Sequence, residues 1–432
     1  MRSGFLLFVS IKTIKILNKK MKKRIAITGI GVLAPNGIGK DAFWAALKEG
    51  RSGIGAVSLF DTAGMKTRLA GEIKDFDPEG ILGPKGLRNM DRSTKLAMAA
   101  SKLALDDAGI KYPLSEDETD AFGVSLGSTM GSVWSISEFD KEALREGPRS
   151  VNPALFPNTV INSPASHISI QFNIQGFNST VSTGFCSSLD AIYYAVTIMT
   201  LYDYKTVLAG GVEELCEQTY KGFYKVGHLA GSRDGKEEIN CPFDKRRNGI
   251  IFGEGSSIVV LEELDHAKKR GAKIYAEVIG YGTSFDPDSK NLYSPRAKGA
   301  SRAISLCFED AGISAPEIDY VAASANSTLD CDAMEAVALG SVFGDKAKSV
   351  AVSSIKSMIG ESFSNSGAMN LAAGLGAIAQ GFVPPTINYK TPDRRCDIDC
   401  VPNKAREMKV SKVLIDAFSP TGSNSALAIA KI

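Results

Sequence analysis

Ser182-Thr183-Gly184-Phe185-Cys186-Ser187-Ser188-Leu189-Asp190-Ala191 reads as a nucleophile elbow whose nucleophile is out of place. Its small residues permit a sharp turn, and Leu189, Ile192 and Ala195 continue it as a helix. A cysteine thiolate at such a helix start is stabilised by the N-terminal dipole and is a nucleophile. A thiol nucleophile usually also needs a base or proton carrier. The chain offers three histidines. His266 lies in the charged stretch Leu261–Arg270 and reads as a surface residue. His167 sits among apolar residues in Ser163–Ile170 and reads as a structural histidine. His228, before Leu229-Ala230-Gly231, is in a loop or helix end with its role open.

Other chemistry finds little support. Cys396-Asp397-Ile398-Asp399-Cys400 pairs two thiols without the second pair a zinc site wants, so no metal is expected. There is no Walker-type loop. Gly253-Glu254-Gly255 and Gly280-Tyr281-Gly282 lack the dinucleotide fingerprint, and these glycines read as serving turns and tight packing. No cofactor is expected.

These residues must be held by a large scaffold. A chain of 432 residues can bury one large core or two core units. Net charge is +2 with the basic residues spread out, which argues against nucleic acid as a partner. Seven scattered cysteines suit a reducing compartment, and a cytoplasmic location is expected. No run is read as approaching the roughly 20 apolar residues of a membrane span. Residues 1–20, basic and apolar, precede Met21 and read as an upstream start or disordered extension rather than a signal peptide.

Short apolar strands alternate with amphipathic helices, the pattern of a layered α/β fold. Strands are expected at Arg24–Thr28 (closed by Gly29-Ile30-Gly31), Ala121–Leu126, Thr206–Ala209, Ser256–Leu261, Lys273–Ile279, Tyr320–Ala323, Val350–Ser353 and Val413–Phe418. A helix is expected at Lys40–Lys48. Lys102–Ile110 resembles Ser305–Ile313, each a helix ending in Ala-Gly before a strand. That repeat predicts two similar halves, 21–272 and 273–432, sharing one core.

From Met21 to Ile432 the chain resembles the β-ketoacyl synthases of the thiolase fold. The resemblance rests on Arg24–Gly31, the Ser182–Ala191 elbow, Pro242–Gly249 with Gly253-Glu254-Gly255, Ser353–Gly360 and Pro384–Asn388. It implies a duplicated α/β/α/β/α layered fold. It also implies a chemistry of three groups: a cysteine that takes an acyl chain from an acyl carrier protein, and two histidines that assist condensation. Laid on the family's S-T-G-C-T-S-G-L-D-A elbow, the nucleophile position is Phe185. Ser324 opens the loop where the first histidine is expected, and Glu361 follows Lys356-Ser357-Met358-Ile359-Gly360 where the second is. The supporting Lys356 and Glu335 match. No catalytic residue is therefore expected. Cys186 is the fallback nucleophile, one residue or about 100° of helix past the apex.

Among these synthases the chain is similar to the chain-length factor, the non-catalytic partner of a type II polyketide ketosynthase. It has Phe185 where glutamine is common in such subunits. The resemblance implies a heterodimer with a catalytic ketosynthase, acyl carrier protein as a partner, a growing polyketide intermediate and neither membrane nor nucleic acid. It places tunnel-lining, length-limiting residues at Val133, Ile136 and Phe139 or Asp140 on one helical face, with core packing as the competing reading for Val133 and Ile136. It places a gating aromatic at Phe418, in a loop stiffened by Pro420, and a dimer contact at Asn152–Ile170. An active ketosynthase using Cys186 and a homodimeric acyl-binding pseudoenzyme are the alternatives.

Overall fold

The computed structural model describes residues 23–287 and 292–432. The expected extension at residues 1–20 lies outside them. Ten strands carry the architecture: β1 (Ile25–Ala34), β2 (Phe122–Gly127), β3 (Asn178–Val181), β4 (Thr206–Glu213), β5 (Gly255–Glu263), β6 (Ala276–Phe285), β7 (Tyr320–Ala322), β8 (Ala351–Ser353), β9 (Lys412–Phe418) and β10 (Ser423–Ala430). Their spatial order is β3-β2-β4-β5-β1, then β6-β10-β9-β7-β8, with the short Gly37–Ile38 strand paired to β1. The second set repeats the first strand for strand, parallel and antiparallel pairings included. Antiparallel pairing of β1 with β6 at Ile25–Ile27 and Ala276–Val278 joins the two sets.

Helices fill three layers around these strands. On one outer face lie α1 (Arg92–Ala108) and α3 (Ser163–Phe172), with α2 (Val133–Glu146) between them in sequence. In the middle, α4 (Ser187–Tyr202) shares a core with α7 (Ser366–Gln380), taking in Val207 and Val259 of one strand set and Val413 and Ile415 of the other. On the far face, α5 (Lys298–Ala311) and α6 (Leu329–Phe343) pack on the second set. The thiolase-like layering is as expected.

Three sequence expectations change. β1 does not end at Gly29-Ile30-Gly31 but runs on to Ala34. These glycines permit close approach: a Cβ on Gly29 would collide with Ala104 O and one on Gly31 with Ala100 O, both in α1. Gly280 and Gly282 of β6 stand in the same relation to Cys307 and Ala303 of α5, so the repeat extends to the packing. Second, Gly184–Tyr202 is a stretch of 19 residues long and apolar enough, by length and composition, to cross a membrane. It contains the central helix α4, whose apolar character comes from packing between the two strand sets. Third, β3 and β10 had no counterpart among the expected strands.

Candidate functional site

The elbow delivers Phe185, not Cys186, to the site. Gly184 takes a left-handed φ of 69°, which turns the chain before α4 begins at Ser187. Phe185 is buried, and its ring stands edge-on to Phe363 with centroids 5.1 Å apart. Phe252 and Phe223 extend this aromatic cluster through Phe363, at 4.4 and 5.1 Å. Phe185 also lines a cavity of about 570 Å³, together with His228, Tyr293, Asn326, Leu329 and Pro420.

Cys186 points the other way. Its Sγ donates toward Ala417 O at 3.1 Å and Ser423 O at 3.3 Å, at the facing ends of β9 and β10. It has no exposed surface and belongs to the central core. Burial, reinforced by the nearby Asp190 carboxylate, pushes the thiol well above its ordinary range. A thiol that is buried, protonated and turned from the cavity is a packing residue.

Ser324 and Glu361, where the resemblance leads one to expect histidines, are equally committed. Ser324 opens the loop after β7. Its N–H donates to Glu335 Oε1 and Asp416 Oδ1, both at 2.8 Å, and its hydroxyl accepts from Phe418 N at 2.9 Å. Glu335 Oε2 also accepts from Ala325 N at 2.7 Å. Burial and the adjacent Asp416 hold Glu335 well above the usual carboxylate range. Glu361 is 1% exposed. Its Oε2 accepts from Lys356 Nζ at 2.7 Å and Asn326 Nδ2 at 3.1 Å, and its Oε1 accepts from Phe363 N at 2.9 Å and from the Ser366 hydroxyl. Burial opposes the charge on Lys356, but Glu361 and its other acidic neighbours, Glu335 among them, together outweigh it and the ammonium pKa is raised. Lys356 Nζ donates as well to Ser324 O at 2.7 Å, so one lysine ties Ser324 and Glu361 together.

Each half of this chain matches a domain of one family: the β-ketoacyl synthase N-terminal domain over residues 22–267 and the C-terminal domain over residues 275–390. The chain belongs to the β-ketoacyl synthase family. It is 37% identical over 413 residues to the 3-oxoacyl-[acyl-carrier-protein] synthase 2 of Coxiella burnetii, covering 95% of this chain and 99% of that one. The synthase 2 of Synechocystis is 35% identical over 411 residues, covering 95% and 98%. Among solved structures, the ishigamide ketosynthase/chain length factor superimposes with a TM-score of 0.88 at 32% identity, covering 95% of this chain and 100% of that one. A type II polyketide ketosynthase in complex with its acyl carrier protein gives 0.86 at 27% identity, over 95% and 100%.

Within this β-ketoacyl synthase fold, the remaining expected residues separate. Val133, Ile136 and Asp140 share the outward face of α2, with Ile136 40% exposed. Phe139 turns to the other face, where its ring meets Phe156 at 6.0 Å and lines a second cavity. Phe418, expected as a gate, is fully buried in the core beneath α5 and α6 and does not border the 570 Å³ cavity; Pro420 does. His228 lines that cavity, with its pKa lowered by burial and by Arg233. His167 is half-buried in α3, and His266 bonds Glu262 at 2.7 Å near the surface. Sequence reading did not find Phe363, Phe223 or Tyr293, because nothing local marks an aromatic residue as the neighbour of a distant elbow.

Proposed function

We propose that this chain is a non-catalytic chain-length factor that pairs with a catalytic ketosynthase and forms part of the tunnel in which a polyketide grows from acyl carrier protein thioesters. One observation carries the reading: all three catalytic positions are occupied by groups already bonded into the protein. Phe185 fills the apex, Ser324 accepts from Phe418 N, and Glu361 is held by four donors. The condensing thiol and both histidines then come from the partner. The ishigamide ketosynthase/chain length factor, at 32% identity, supports the pairing.

Two surface features favour a large partner. β3 is the terminal strand of its set, hydrogen-bonded only to β2 among the described strands. The expected dimer segment displays Phe156 at 58% and Ile170 at 76% exposure. The names of the Coxiella and Synechocystis relatives favour an active synthase, but the environment of Cys186 opposes it. Co-expression with a candidate ketosynthase decides the matter. A stable one-to-one complex with condensing activity is expected, and isolation only as a homodimer would sink the reading.

A further inference from the structure

A row of five rings separates the 570 Å³ cavity from the second cavity, which measures about 860 Å³ beside α2. Phe185 borders the first and Phe60 the second. Ring centroids step from Phe185 to Phe363 (5.1 Å), Phe252 (4.4 Å), Tyr220 (6.3 Å) and Phe60 (5.3 Å). Phe363, Phe252 and Tyr220 are completely buried. Phe223, also on the wall of the first cavity, closes the flank at 5.1 Å from Phe363. The inner rings are fixed by the backbone. Phe363 holds a left-handed φ of 48°, which costs free energy in a residue with a Cβ unless its surroundings impose it. Its N–H donates to Glu361 Oε1 at 2.9 Å. The hydroxyl of Ser364, the next residue, donates to Val212 O at 2.9 Å, with Glu213 Oε2 2.5 Å away. On the other side, the turn that delivers Phe185 is seated on Ser419, with which a Cβ on Gly184 would collide.

We infer that Phe185 and Phe363 form a fixed plug that keeps an elongating chain out of the interior of this subunit. An apolar chain that enters the 570 Å³ cavity stops at Phe185, and the chain of the pair meets this subunit only at the interface. Rings packed at these distances cannot swing aside without opening a void, and a buried void costs free energy. Moving Phe363 would also break the bonds to Glu361 and Ser364 that hold its backbone. That the excluded ligand is an acyl chain rests on the pairing proposed above; the closure is read from the rings.

Photocrosslinking tests the plug on the full chain, with its ketosynthase if the two copurify. The probe is dodecanoyl pantetheine with a diazirine at the far end of the chain, and labelled tryptic peptides of this subunit are read by mass. The peptide that carries residue 363 contains no residue bordering the cavity, so label on it reports passage beyond Phe185. In the native protein, label on this subunit should be confined to the cavity and its exposed aliphatic rim, Val226, Leu292 and Leu329. Phe185→Ala, and Phe363→Leu as a milder variant, should raise label on the 363 peptide roughly tenfold, the value of two further buried methylenes. Phe308→Leu, which thins the Phe308–Phe343 ring pair elsewhere in the core, should stay at the native level. Label on the 363 peptide of the native protein would overturn the inference whatever the variants do. So would variants that keep the native circular dichroism and gain no label, or an equal gain in Phe308→Leu. A stable pair whose native subunit labels inside rejects only the plug, and a homodimer that excludes the probe rejects only the pairing.

Discussion

Lys356 Nζ and Glu361 Oε2 lie 2.7 Å apart with both side chains almost wholly buried, an ion pair at the position where a catalytic histidine was expected. The pair leaves the Glu361 carboxylate saturated with donors. Every oxygen of Glu361 has two donors, so no lone pair is free to take up a substrate proton. Glu361→Gln should leave a buried, unpaired ammonium and destabilise the fold by about 3–5 kcal/mol, whereas Lys356→Met combined with Glu361→Gln should lose less than the sum of the single changes. Urea unfolding of the three variants would test this, and an additive double variant would contradict it.

Restoring the nucleophile alone should not restore condensation. Phe185→Cys puts a thiol on the cavity wall, but Ser324 and Glu361 still supply no histidine. Iodoacetamide under native conditions should modify the introduced thiol and spare Cys186, which should react only after unfolding. Loss of the buried ring should cost about 3 kcal/mol. Native labelling of Cys186, read by peptide mass, would refute its assignment as a packing residue.

Stability should fall as pH rises through neutrality. Burial raises Glu213 to about 7 and Glu214 to about 8, and it raises Asp416 to about 6, while the unfolded groups titrate near 4. Between those values the folded state holds more protons, so each group removes up to about 1.4 kcal/mol of stability per pH unit. The contribution is complete below the unfolded pKa and is lost above the folded one. Urea midpoints measured from pH 5 to 8.5 should decline, and Glu214→Gln should flatten the upper part of the curve. A midpoint that climbs over this range would count against neutral buried acids.

Ile136 stands on the outward face of α2 with Val133 and Asp140. If that face borders the tunnel in the pair, Ile136→Ala should lengthen the polyketide or broaden its distribution at little cost in stability, since the side chain is 40% exposed. Phe139→Ala should instead lose its contact with Phe156 and lower the melting temperature. Mass spectrometry of the products with the partner ketosynthase would separate the two, and an unchanged profile for Ile136→Ala would remove it from the tunnel.

Much of this protein is legible in residue types and their order. The strand–helix alternation, the Ala-Gly helix ends at Gly109 and Gly312, and the presence of Phe185, Ser324 and Glu361 at the motif positions all follow from sequence, because they depend on local periodicity and on residue order. What those residues face was decided by the tertiary structure. Cys186 is fixed by carbonyls 231 and 237 residues away, and Phe185 by a ring that follows Glu361. The extension of β1 through Gly31 depends on the backbone of α1, and the unmatched oxygen of Glu214 exists only where α1, α2 and the end of β4 meet. Hydrogen-bond partners and cavity walls are set by contacts between distant segments. Local spacing therefore shows which groups are present, and packing decides what each of them faces.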